Sequence, residues 1–128
     1  MASRPTSIRA RVLLVEDDRS NRYAMARLLE SFGMDVLEAH SIQAAIDQLS
    51  SLPDFLVLDW LMSGEDSSIV IDQARAKTPQ TQIVVVTVAH DRCDEIRRHA
   101  PNTIFTKPFN ALSLLEWFTE NTSAAEKN

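Results

Sequence analysis

Runs of apolar residues in this chain repeatedly end in a group able to do chemistry. "RVLLVEDD" places Glu16, Asp17 and Asp18 after one such run, and "DFLVLDW" places Asp59 after another. "TQIVVVT" ends in Thr87, and "TIFTKPF" carries Lys107. Carboxylates gathered in one pocket repel each other, and their pKa values rise unless a cation neutralises them. Ligands that are all oxygen suit a hard divalent ion. Mg²⁺ takes only a few protein carboxylates and keeps water on its other positions. A lysine adds a fixed positive charge suited to a phosphoryl oxygen. An aspartate so placed can act as a nucleophile and form an acyl phosphate. The cation and the lysine would neutralise the transferring group's oxygens while Thr87 donates a hydrogen bond.

That chemistry requires elements that bring distant residues together. "RVLLVE" (11–16), "DVLEA" (35–39), the run ending at Asp59, "TQIVVVT" (81–87) and "TIFT" (103–106) read as strands, several of them apolar throughout, as in a parallel sheet covered on both faces. Between them lie helical patterns. In residues 19–32, Met25, Leu28, Leu29 and Phe32 share one face and Gly33 stops the helix. Ser41 caps "IQAAIDQLS", a helix runs to about Lys77 before Thr78-Pro79, and "HDRCDEIRRHA" forms a short charged helix. The last helix carries Ala111, Leu114, Leu115 and Phe118 on its buried side, with Leu112 and Trp117 off it. Alternation of this kind predicts one α/β domain, a doubly wound five-stranded parallel sheet with five helices. Right-handed crossovers put the strand C-termini on one edge, where open sheets bind ligands. Glu16, Asp17, Asp59, Thr87 and Lys107 all fall on that edge.

Composition narrows the partners. A chain of 128 residues suits a single core, and a net charge of −5 argues against direct binding of nucleic acid. One cysteine, Cys93, leaves no intrachain disulfide framework. No apolar run is long enough to span a bilayer, and the start lacks a signal-peptide pattern, so a cytoplasmic location is expected. With glycine only at 33 and 64, P-loop and dinucleotide-binding motifs are excluded.

The ordered set "LLVEDD", "LVLDW", "VVVT" and "FTKPF" resembles the receiver domain of bacterial two-component response regulators, at stand-alone length. The resemblance covers about residues 10–121, leaving 1–9 and 122–128 as short flexible termini. It implies a flavodoxin-like sheet of strand order 2-1-3-4-5 and a site that takes a phosphoryl group from a phosphohistidine onto Asp59. By the same likeness Glu16, Asp17, Asp59 and the Leu61 backbone carbonyl hold Mg²⁺ or Mn²⁺. Thr87 becomes the switch hydroxyl, Lys107 the phosphate-binding lysine, and the bond before Pro108 is cis. A sensor histidine kinase or histidine phosphotransfer protein is the implied donor. An unidentified output protein, and a possible homodimer, are the implied partners.

The sequence departs from the family pattern in the loop next to the site, which loses a stiffening proline, and towards the output end. The usual Met-Pro-Gly after the acceptor reads Met62-Ser63-Gly64, and Ser67 stands where a later glycine is common. Val88 replaces a small residue after Thr87, where it narrows access to the site. Ile104 replaces the aromatic switch residue, and Phe105 belongs to the opposite sheet face. The interval from Thr87 to Lys107 is shorter than usual, which predicts a short fourth helix. Trp60 is expected to cover the sheet end and to report on the site by its fluorescence.

Plainer roles account for the remaining residues. Asp18 reads as a helix cap. His40, His90 and His99 read as surface residues, and Cys93 as incidental. Two rival functions remain: a degenerate receiver that binds partners without phosphorylation, and an aspartyl phosphohydrolase. The latter needs a second acid two residues after the nucleophile, where this chain has Leu61.

Overall fold

A computed structural model describes residues 8–122. The segments 1–7 and 123–128, which hold most of the termini expected to be flexible, lie outside the described residues. Strands β1 (Arg11–Val15), β2 (Asp35–Ala39), β3 (Phe55–Asp59), β4 (Gln82–Thr87) and β5 (Thr103–Thr106) form one parallel sheet of order β2-β1-β3-β4-β5. They alternate with α1 (Arg19–Ser31), α2 (Ile42–Gln48), α3 (Ser68–Lys77), α4 (Cys93–Arg97) and α5 (Ala111–Asn121). The fold class and the strand order are those expected from the sequence.

Strand periodicity divides the core in two. Leu13, Val15, Leu56, Leu58, Ile83 and Val85 point to one face, where they pack with Ile42, Ala45, Val70, Ile71 and Ile96. Their neighbours Val12, Leu14, Phe55, Val57, Val84 and Val86 point the other way, against Ala26, Leu29, Leu114 and Phe118. Each such side chain contributes about 1.5–3 kcal/mol by leaving water. Both faces are therefore apolar, and the polar work is left to the strand ends. Ile104 packs on the first face and Phe105 on the second, as strand parity requires.

Helix boundaries follow local chemistry. Asp18 accepts from the Asn21 N–H at 2.8 Å and caps α1, and Ser41 accepts from Ala44 N–H at 3.0 Å to cap α2. Gly33 ends α1 with φ of 93°, a conformation costly for a side chain with a Cβ. The α2 pattern runs only to Gln48, because the chain tightens into a 3₁₀ turn over Leu49–Ser51. Helix α4 is short, as its length in the sequence predicted, and a 3₁₀ turn at His90–Arg92 precedes it.

Two assignments on α5 change. Ala111 is exposed, because it sits in the first turn at the helix start. Trp117 is half-buried: its ring meets Phe55 edge-on at 5.8 Å and lies 5.6 Å from Phe118. A ring of that size reaches the core from a position where a smaller side chain would not. Leu112 is exposed, as expected.

Candidate functional site

Parallel pairing aligns the strand ends. Glu16 and Asp17 follow β1, Asp59 closes β3, Thr87 closes β4, and Lys107 follows β5. Glu16, Asp17 and Asp59 each present a carboxylate oxygen, and these atoms lie within 4.8 Å of one another. Lys107 Nζ is 3.6 Å from Glu16 Oε1. The lysine's backbone N–H donates to the Thr87 carbonyl at 2.7 Å, which fixes the β5 end against β4. The Lys107–Pro108 peptide is cis.

Backbone donors hold the acids in place. Glu16 is buried, with 4 % of its surface exposed, and accepts from the Asp18 N–H at 3.1 Å. The cap residue of α1 thus also orients the adjoining carboxylate. Arg22 reaches back from α1 to the Glu16 carbonyl at 2.9 Å. Across the site, the loop after β3 supplies two donors. The Leu61 N–H bonds to Asp59 Oδ1 at 3.2 Å, and the Ser63 N–H bonds to Asp17 Oδ2 at 2.8 Å.

The charge states differ accordingly. Burial raises the Glu16 carboxyl to about 7, and the neighbouring Asp59 charge pushes the same way. Asp59 is also raised, chiefly by burial, while its hydrogen bonds to Glu16 and Leu61 oppose the shift. Asp17 moves down, because the Ser63 N–H stabilises its charged form. The all-oxygen donor set fits a hard divalent cation, with three carboxylates leaving positions for water. Among the described residues the Leu61 carbonyl accepts no hydrogen bond, so it too is available to a cation.

The β4–β5 side is built from other parts. Thr87 is fully buried, and its hydroxyl accepts from the Ala89 N–H at 2.9 Å. Val88 is 57 % exposed. Trp60, 6 % exposed, covers the sheet end, and its indole N–H donates to Glu95 Oε2 on α4 at 3.2 Å. Arg92 holds that carboxylate with two bonds, of 3.0 and 2.7 Å. His99 is not a bare surface residue: it is half-buried, its ring 5.5 Å from Trp60. A His90 ring nitrogen lies 3.1 Å from the Lys107 carbonyl. Cys93 is a free, half-buried thiol.

The roles of Glu95, Arg22 and Ser67 were not read from the sequence. Ser67 had one cue, its place where the family commonly has glycine. Its hydroxyl is buried against the carbonyls of Asp59 and Trp60. Glu95 and Arg22 carried no cue, since a charged residue on a helix is ordinarily solvated.

An open parallel sheet with a triad of acids, one buried and two half-buried, and a lysine at its carboxyl edge defines a receiver-type α/β domain. Residues 12–118 match the response regulator receiver domain, and the chain belongs to that family. It is 30 % identical over 107 residues to the transcriptional regulatory protein CpxR of Escherichia coli K12, covering 82 % of this chain and 46 % of that protein. The response regulator protein FleR of Pseudomonas aeruginosa is 34 % identical over 110 residues, covering 84 % of this chain and 23 % of FleR. The chain thus spans less than half the length of these curated relatives. A response regulator from Thermotoga maritima superposes with a TM-score of 0.74 at 26 % identity, covering 88 % of this chain and 96 % of that one. TrrA from the same organism, solved with Mg²⁺ and BeF, shares the fold with a TM-score of 0.79 at 23 % identity, over 88 % and 98 % of the two chains. Among the described residues no helix is long and apolar enough to cross a membrane.

Proposed function

We propose that residues 10–121 form a phospho-accepting receiver that switches a protein-interaction surface. One observation carries this reading: three carboxylates lie within 4.8 Å of one another at the strand ends, with Lys107 beside them. An Asp59 carboxylate oxygen attacks the phosphorus of a partner's phosphohistidine. The P–N bond breaks as the acyl phosphate forms, and the imidazole leaves with its electron pair. The donor is a sensor histidine kinase or a histidine phosphotransfer protein.

Glu16, Asp17, Asp59 and the Leu61 carbonyl would hold Mg²⁺ or Mn²⁺, which neutralises phosphoryl oxygens when bound. Lys107 supplies a second positive charge, and Thr87 a hydroxyl, to the same group. The chain is an acceptor that gains and loses phosphate, not a turnover enzyme. Its partners are proteins, including a possible second copy, and neither nucleic acid nor membrane is contacted directly. We place it in the cytoplasm, where the histidine donors of such relays work.

Output is coupled in an atypical way. Ile104 packs into the core where the family pattern has an aromatic ring, so no ring is there to move with Thr87. The same observation favours a second reading, a degenerate receiver that binds its partner without phosphorylation. Intact-mass spectrometry after incubation with acetyl phosphate and Mg²⁺ tests the first reading. One added phosphoryl group is expected on the wild type and none on Asp59→Asn. No gain with either acetyl phosphate or a phosphorylated histidine donor, and a partner affinity indifferent to Asp59→Asn, would establish the second.

A further inference from the structure

Ser67 is only 2 % exposed, and its hydroxyl lies 3.0 Å from the Asp59 carbonyl and 2.9 Å from the Trp60 carbonyl. It precedes α3 yet makes no capping bond. Asp66 does that work instead, accepting from the Ser68 N–H at 3.0 Å and from the Ser68 hydroxyl at 2.6 Å. The Ser67 hydroxyl is therefore free to reach back eight residues to the end of β3. Its φ of −63° is ordinary helical backbone, so the position does not require glycine.

The consequence concerns the loop that serves the acids. Ser67 engages the carbonyls of Asp59 and Trp60, and the next carbonyl, that of Leu61, is the first left without a partner among the described residues. The Leu61 and Ser63 N–H groups of the same loop hold Asp59 and Asp17. Ser63 occupies the place of a proline that would have stiffened the segment, so its rigidity has to come from elsewhere. We propose that Ser67 is a positioning residue: its hydroxyl fixes the β3–α3 loop so that the Leu61 carbonyl and the acid-holding N–H groups stay in place for a divalent cation. This deepens the receiver reading and rests on it for the identity of the ligand.

The test uses ¹⁵N-labelled protein with Ser67→Ala, Ser67→Gly and Ser68→Ala. Ser68→Ala loosens the start of α3 without touching the carbonyls of Asp59 and Trp60, so it controls for general loosening. In metal-free protein, amide exchange at Leu61 and Ser63 should speed up in both Ser67 variants and not in Ser68→Ala. Titration with Mg²⁺, followed by amide shifts, should show roughly tenfold weaker binding in the Ser67 variants, the lower end of the effect of losing an outer-shell partner. Equal effects from Ser68→Ala, or unchanged exchange and unchanged Mg²⁺ affinity in the Ser67 variants, would overturn the proposal. A wild type that takes up no Mg²⁺ would defeat the metal-binding part of the receiver reading. The exchange data would then still decide whether Ser67 orders the loop.

Discussion

The acid side of the site, at the ends of β1 and β3, contrasts with the side that runs from β4 to β5. On the acid side each carboxylate has a backbone donor: Asp18 for Glu16, Ser63 for Asp17 and Leu61 for Asp59. On the β4–β5 side backbone N–H groups of Ala89 and Lys107 hold Thr87, but the links that reach the fourth helix run between side chains, Trp60 to Glu95 and Glu95 to Arg92, and they end on a five-residue helix. Backbone donors come with the fold and survive most substitutions. Side-chain links last only as long as both residues do. The acid side keeps the family's acids and departs only in the loop behind them, at Ser63 and Ser67, whereas the β4–β5 side departs at Val88 and Ile104. If the chain works as the receiver proposed above, the contrast implies that its binding and chemistry rest on the scaffold, whereas its transmission rests on replaceable contacts.

Lys107 joins the two sides, so removing it breaks the comparison most severely. Lys107→Ala should slow phosphoryl uptake from acetyl phosphate about a hundredfold, comparable to losing one group that stabilises developing negative charge. Mg²⁺ affinity should move the other way at pH 8, because a positive charge 3.6 Å from Glu16 no longer competes with the cation. Rate by mass spectrometry and affinity by fluorescence titration check the two signs. A parallel fall in both would mean that the lysine mainly supports the fold.

A pH series sharpens the acid side. Glu16 rises from 4.5 to about 7 on folding, so the folded state binds the extra proton between those values. Without metal, stability is fully present below 4.5 and falls as pH rises towards 7. Asp59 is also raised and acts in the same direction, whereas Asp17 and Asp66, both lowered, lose their contribution only in acid. Thermal melts should show Tm falling by roughly a few degrees over that interval, with Glu16→Gln flattening the slope. Mg²⁺ requires the deprotonated carboxylates, so its stabilising effect should grow as pH rises to about 7. An unchanged slope in Glu16→Gln would assign the effect to other groups.

The two sides also differ in how far they could be read in advance. Apolar runs of strand length, interleaved with helical spacing, determine the sheet and hence its carboxyl edge. Glu16, Asp17, Asp59, Thr87 and Lys107 follow from that edge, because each directly ends or follows a strand. Ser67, Glu95 and Trp117 do not follow from it. Ser67 acts through a loop whose path no periodicity describes. Glu95 meets Trp60 across 35 positions, a pairing that depends on where α4 lies against the sheet. Trp117 reaches the core by its size, which a helical wheel ignores. Pattern locates backbone elements, and side chains that span between elements need the packed structure.

The smallest effect tests whether the β4–β5 side can be uncoupled. Glu95→Gln removes the charge that Arg92 grips while leaving an amide near the Trp60 indole. Because Glu95 touches none of the acids, phosphoryl uptake on Asp59 and Mg²⁺ affinity should stay at wild-type values. What should change is transmission. Trp60 sits between Asp59 and Leu61, so cation binding on either side of it should move its ring relative to α4. With Glu95 neutral, that motion loses its charged partner. In a Trp117→Phe background, which leaves Trp60 as the only tryptophan, the Mg²⁺-induced fluorescence change should shrink. Amide exchange in α4 should become insensitive to phosphorylation. If phosphoryl uptake falls as well, the acid side depends on α4, and the scaffold would carry signal as well as chemistry.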